Sequence, residues 1–303
     1  MTDCSARSET EFCGIALLDF LRLRLTSADA QRLPVLFSNG YISVDNEVVS
    51  ADYTLNGGSR ICVYLPGHQE EEVDTHWRIL WQNSELLAVY KPHLLPVSRT
   101  TRNLYNTLIS LVRRQTPYAD ARLLHRLDTE TAGVILLAKN AMADRRWKPR
   151  LDQLMRKKIY HAWVEGIPCW QSKLMECDLS EKAGSVIRSQ VYVVDAIDRF
   201  VKPRNSKTAF RVLQTVAGRT LIECRLYTGR KHQIRAQLSY LGHPVVGDKI
   251  YGHQGHFYLK RIEQGLDDSD YQALGSRYHQ LQAVELTLDI EGLPVEIALP
   301  VQN

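Results

Sequence analysis

Three places in this 303-residue chain gather side chains able to do chemistry. The first is His125-Arg126-Leu127-Asp128, followed by Thr129-Glu130-Thr131-Ala132-Gly133 and the apolar run Val134-Ile135-Leu136-Leu137-Ala138. Three ionisable residues thus stand in a loop ahead of a glycine turn and a run that reads as a buried strand, which is a rigid support. A carboxylate near a guanidinium stays ionised, so Asp128 suits the role of nucleophile or base. It equally suits a plain cap of the turn over 129–133, and the local sequence leaves both roles open.

The second place is Thr228-Gly229-Arg230-Lys231-His232-Gln233-Ile234-Arg235, read as the start of a helix over 230–241 whose inner stripe is Ile234, Leu238 and Leu241. Donor side chains at a helix start, with its free amides, can grip phosphates. Ile234 anchors the turn in the core, which half-buries Arg235 and obliges it to find an anion. The third place is Lys157-Lys158-Ile159-Tyr160-His161-Ala162-Trp163-Val164. Strand alternation puts Lys158, Tyr160, Ala162 and Val164 on one face, so Tyr160 is either a core tyrosine or a ring for stacking a nucleobase. His125, His232, His243 and Asp248 lack the spacing of a metal-binding helix, so no metal site is expected.

The elements that must position these groups follow from periodicity. Residues 15–25 read as a helix, Asn39-Gly40 as a turn, 41–49 as a hairpin and 60–65 as a strand after Asn56-Gly57-Gly58. Further strands are expected over 78–81, 86–90, 134–138, 158–164, 190–194, 221–226, 284–290 and 295–299. Helices are expected over 103–114 and 141–156, the latter interrupted at Pro149. The boundaries are a small domain over 1–66, an acidic linker over 67–76 and a larger domain over 77–303. The larger one is expected to be an α+β domain on an irregular sheet.

Composition narrows the function classes. The chain is 44% hydrophobic and 24% charged, ordinary for a globular protein, and no apolar run approaches the ~18 residues of a membrane helix. The first residues lack a basic start and a cleavage site, so a cytoplasmic address is expected. Six cysteines show no metal spacing and no disulfide framework. Residues 201–240 hold nine Lys/Arg against Glu223 alone, and 141–160 hold seven against Asp144 and Asp152. With a net charge of only +4, the remainder is acidic, and the basic windows suit a polyanion.

Taken together, these motifs resemble the RNA pseudouridine synthases of the ribosomal large-subunit type. The resemblance rests on His125 to Gly133, Val89-Tyr90-Lys91-Pro92, Lys158-x-Tyr160-x-Ala162-x-Val164-x-Gly166, Thr228 to Arg235, and Gly247-Asp248-x-x-Tyr251-Gly252, in family order. Two departures stand out: His93-Leu94 replaces Ala-Gly or Ser-Gly, and Leu281-Gln282-Ala283 replaces Leu-His-Ala. The amino-terminal pattern is similar to a small α/β RNA-binding domain shared with a ribosomal small-subunit protein. The resemblance implies a mixed, largely antiparallel sheet with flanking helices. It implies isomerisation of uridine to pseudouridine in structured RNA, ribosomal RNA being favoured over transfer RNA, by a monomer without cofactor, metal or membrane. Asp128 would be the required carboxylate, Arg235 its ion-pair partner and Tyr160 the ring against the target uracil. Arg126 would fill the vacated RNA stack, while His125, Lys158, Arg230, Lys231 and His232 would contact RNA.

Overall fold

The run Ala132–Ala138 is buried along its whole length, so it cannot sit at the face of a half-exposed sheet. In the computed structural model, which describes residues 3–7, 14–24, 31–64, 70–100 and 103–300, it is a central strand, β8. The chain divides into one unit of Met1–Val73 with Ser98–Leu111 and another of Asp74–Val97 with Val112–Asn303.

In the first unit, β1 (Asp3–Arg7), β2 (Ile42–Val44), β3 (Glu47–Val48) and β4 (Arg60–Tyr64) form an antiparallel sheet in the order β1-β4-β2-β3. Asp45 and Asn46 both adopt left-handed backbone, the requirement of a two-residue hairpin turn. Helices α1 (Leu17–Arg24) and α2 (Leu33–Ser38) cover the sheet, burying Leu17, Phe20, Leu33 and Leu36 against Ile42, Val44 and Ile61. Residues 65–69 of the expected linker lie outside the described residues. Glu70, from the same acidic stretch, accepts hydrogen bonds from the backbone N–H of Leu104 (2.7 Å), Tyr105 and Asn106 (2.8 Å). The helix expected over 103–114 accordingly begins later, as α3 (Leu108–Gln115).

The second unit is built on an eleven-stranded sheet. It runs β11 (Tyr192–Val193), β10 (Ser172–Ser180), β12 (Arg204–Val216), β13 (Arg219–Leu226), β9 (Met155–Glu165), β14 (Leu281–Ile290), β8, β6 (Leu86–Lys91) and β5 (Arg78–Gln82). Strand β15 (Leu293–Ala298) pairs with β14, and β7 (Arg122–Leu123) with β8. Every pairing is antiparallel except the short parallel contact of Gln282 and Ala283 in β14 with Ala132 and Gly133 in β8. That contact is the seam where the turn after Asp128 enters the sheet. Gly133 has φ +119° there, and a Cβ would lie 2.1 Å from the Ala283 carbonyl oxygen, so no other residue fits.

In the basic segment 141–156 the structure has the expected break at Pro149 and corrects the end of the helix. Helix α4 (Ala141–Trp147), capped by Asn140 accepting from Ala143 N–H, stops ahead of Pro149; a 3₁₀ turn and the short α5 (Leu151–Leu154) follow. Met155 and Arg156 already belong to β9. Strands β10 and β12, and helices α7 (His256–Glu263) and α8 (Asp268–Leu274), are absent from the sequence reading. Among the described residues, no helix is long and apolar enough to cross a membrane.

Candidate active site

The helix expected over 230–241 spans only Gln233–Tyr240 and is numbered α6. His232 precedes it in left-handed backbone, so Arg230, Lys231 and His232 lie before the helix rather than in its first turn. Ile234 and Leu238 pack α6 onto β9, β12 and β13 through Ala162, Phe210 and Ile222. The opposite side of its first turn is thereby aimed at the loop before β8. Arg235, 5% exposed, reaches both carboxylates within range: its Nη1 donates to Asp128 Oδ2 at 2.7 Å, and Nε and Nη2 grip Asp248 at 2.6 and 2.9 Å.

The two acids differ in what else holds them. Asp248 also accepts from Ile250 N–H and Tyr251 N–H, and its side chain is fully buried. The Asp128 side chain is 28% exposed and takes its hydrogen bond from Arg235 alone among the described residues, with His232 Nε2 at 3.9 Å. Asp248 therefore anchors the guanidinium, while Asp128 keeps an oxygen free for solvent or substrate. The turn is closed by the Asp128 main-chain carbonyl, which accepts from Thr131 N–H at 3.1 Å. Its carboxylate is not the cap.

Burial acts against ionisation of Asp128, but the charges of His232, Arg235 and His279 and the Arg235 hydrogen bond outweigh it, holding the carboxyl at about 2. Burial and the Arg235 charge hold His232 itself down to about 4, so at neutral pH its ring is uncharged and Arg235 is the cation that matters. Tyr160 lies in the same cleft, of about 70 Å³, with Arg126, Leu226, Arg230 and Leu281. Burial and the Asp128 charge raise its phenol, which stays neutral. The cleft thus offers an ionised, reachable carboxylate beside an aromatic ring, under an exposed arginine.

Beneath the cleft the turn is pinned residue by residue. Lys91, fully buried, donates Nζ to the carbonyls of Thr129 (2.9 Å), Pro92 (2.9 Å) and Leu95 (2.8 Å). Burial lowers its ammonium to about 7 against the opposing pull of Asp128 and Glu130. Lys249 Nζ donates to both Glu130 oxygens, and His93 Nδ1 donates to the Glu130 carbonyl at 2.6 Å while its ring stacks on Tyr278. Thr131 Oγ1 and His279 Nε2 share a hydrogen bond of 2.7 Å.

A family model described as RNA pseudouridylate synthase matches residues 85–240, more than half of the chain and all of the residues lining the cleft except Leu281. The chain belongs to the RNA pseudouridylate synthase family. An uncharacterized RNA pseudouridine synthase of Synechocystis is 29% identical over 288 residues, 94% of this chain and 96% of the relative. Ribosomal large subunit pseudouridine synthase C of Escherichia coli is 29% identical over 252 residues, 79% of this chain and 76% of that protein. RNA pseudouridine synthase 7 of Arabidopsis thaliana is 28% identical over 234 residues, 75% of this chain but only 59% of its own length. The solved structure of human RNA Pseudouridylate Synthase Domain Containing 1 shares the fold, with a TM-score of 0.58 and 22% identity over 77% of this chain and 86% of that one. The protein is thus an RNA pseudouridine synthase, an isomerase that converts uridine in RNA to pseudouridine.

In this pseudouridine synthase the residues singled out from sequence divide by place. Asp128, Tyr160, Arg235, Arg126, Arg230 and His232 line one cleft. His125 and Lys158 lie outside it. The His125 Nε2 accepts from Leu136 N–H at 3.0 Å, and burial and the Lys158 charge hold the ring down to about 4. Lys231 is exposed and paired with Glu181 at 2.8 Å. Sequence reading missed Asp248 as the second partner of Arg235, and gave no role to Glu130, Lys249 or His279. The Gly247-Asp248-x-x-Tyr251-Gly252 motif was the available signal for Asp248. Gln282 pairs in β14 opposite Ala132, and the histidine bonded beneath the turn is His279.

Proposed function

We propose that this pseudouridine synthase modifies ribosomal RNA, with Asp128 as the nucleophile that attacks the target uridine. The ion pair with Arg235 holds the Asp128 carboxyl well below the usual carboxylate range, so at neutral pH it is ionised and available for attack. In the proposed sequence Asp128 bonds to the uridine, the N1–C1′ bond breaks and the uracil turns in the cleft. The C5–C1′ bond then forms, the bond to Asp128 breaks and releases its carboxylate, the C5 proton leaves and N1 gains a proton, so atoms and electrons balance without redox partner or energy source. Arg235, tethered by Asp248, aims the carboxylate, and the Tyr160 ring packs against the uracil.

The target must leave its helix, at roughly a few kcal/mol, and exposed Arg126 fills the space it vacates. Arg230, Lys231 and Lys158 meet phosphates, supported by the basic windows around them. His125 and His232, uncharged at neutral pH, serve the turn and the cleft wall instead. The observation that carries the reading is the divided grip of Arg235, which leaves one of two carboxylates reachable. The Escherichia coli relative's name and the α/β pattern of the amino-terminal unit, read as RNA-binding, support ribosomal over transfer RNA. We take the active form to be a cytoplasmic monomer.

The test is to offer C5-tritiated ribosomal RNA and transfer RNA separately and count released tritium. Release from large-subunit ribosomal RNA is expected; release from transfer RNA alone would sink the substrate assignment.

A further inference from the structure

A second cleft, of about 290 Å³, opens beside the first, and Arg230 lines both. Its size approaches the roughly 300 Å³ at which small-molecule sites begin. Its floor is apolar: Leu179 and Val191 are buried in a cluster that continues through Ala236 and Ile250. Its rim is cationic, with Lys202, Arg204, Arg230 and Lys231. Lys231 is engaged by Glu181, and Arg230 spends only its Nε, on the Asn205 carbonyl. Lys202 and Arg204 are exposed and their side chains meet no carboxylate among the described residues.

One wall is bare backbone. A Cβ built on Gly229 meets no heavy atom within 4 Å, and its φ is not positive, so neither crowding nor backbone conformation demands glycine there. What the glycine does provide is open space between the apolar floor and the arginines. An apolar floor for a planar ring, guanidinium groups for a phosphate and room for close approach to backbone are together what an unpaired nucleotide requires.

We propose that this cleft holds the unpaired nucleotide next to the target uridine, its base over Leu179 and Val191 and its phosphate between Arg204 and Arg230. Arg230 borders both clefts, so the phosphate it meets is the one joining the two nucleotides. The consequence is substrate choice: the enzyme selects uridines whose neighbour can also leave its stack, in loops rather than in regular helices. This inference rests on the reading that the first cleft receives the flipped uridine.

The experiment uses the full chain and whichever tritiated RNA the wild type turns over. Gly229→Leu fills the cleft, Arg204→Glu reverses the exposed rim, and Lys173→Glu on the exposed face of β10 is the charge control. Both cleft variants are expected to raise KM for RNA about tenfold or more with kcat within about twofold, while the control stays within about twofold in both. In the wild type, 4-thiouridine placed next to the target should crosslink within residues 179–204 or at 229–231, and Gly229→Leu should suppress the crosslink. Cleft variants matching Lys173→Glu, or crosslinks wholly elsewhere, overturn the inference and leave the reaction-cleft reading standing. A wild type that releases no tritium from any RNA removes both.

Discussion

Arg235 is the residue on which the site turns, because a buried guanidinium must be neutralised and this one is neutralised twice. The pairing with Asp248 costs desolvation of both ions and is worthwhile only with complete hydrogen bonding, which Ile250 and Tyr251 amides complete. Asp248→Ala is therefore expected to cost roughly 3–5 kcal/mol in urea unfolding, since it leaves a buried charge with a single, partly exposed partner. Turnover should fall with it as Asp128 loses its aim. An Asp248→Ala protein of parental stability would show that the guanidinium does not need this anchor. His125 gives a second prediction at this scale. Its folded pKa of about 4 lies below the ordinary 6.5, so between those values the unfolded chain binds more protons and stability falls as pH falls. His125→Gln keeps an acceptor for Leu136 N–H but cannot titrate, so its melting temperature should decline less steeply from pH 6.5 to 4; identical slopes would contradict the assignment. The Asp128 motif was legible because its residues are contiguous. The Arg235–Asp248 pairing was not, because neither side chain's local sequence states which anion or cation it meets.

At the scale of elements, the parallel seam between β8 and β14 decides where the Asp128 turn sits. Gly133 is the condition for that seam, through both its φ and its contact with Ala283. Gly133→Ala is expected to destabilise by at least about 4 kcal/mol, measured by denaturant titration, because strain and a backbone clash add. A loss under about 1 kcal/mol would mean the seam can open freely. Strands β8, β9 and β13 could be read from the sequence because their inward positions are apolar. Strand β12 could not, since its inward Ser206 and Thr208 are polar and become acceptable only when Gln233 and Gln237 of α6 bond to them. The same dependence explains the late start of α6: the Gln233 side chain accepts from Thr228 Oγ1 and Arg230 N–H and holds 228–232 as a loop. Segment 141–156 reads as a basic helix interrupted at Pro149, and the break is where the structure has it; only its end differs, because the pairing demand of β9 takes Met155 and Arg156.

For the whole molecule, the uneven charge seen in the sequence acquires a place: Arg126 and Arg230 border the Asp128 cleft, and Lys202, Arg204 and Lys231 the neighbouring one. The α+β class and the mixed, largely antiparallel sheet were legible from motif order, whereas the assignment of 98–111 to the amino-terminal unit was not, since Glu70 caps 104–106 only after folding. In the proposed reading, chemistry and RNA binding are carried by different residues. Asp128→Asn preserves size and a hydrogen-bond acceptor for Arg235 while removing the proposed nucleophile, so it separates the two functions directly. Measured side by side for tritium release and for RNA affinity, Asp128→Asn should show no turnover above background with affinity within about threefold of the wild type. Turnover at even about a tenth of the wild-type rate would contradict the central claim that Asp128 performs the attack.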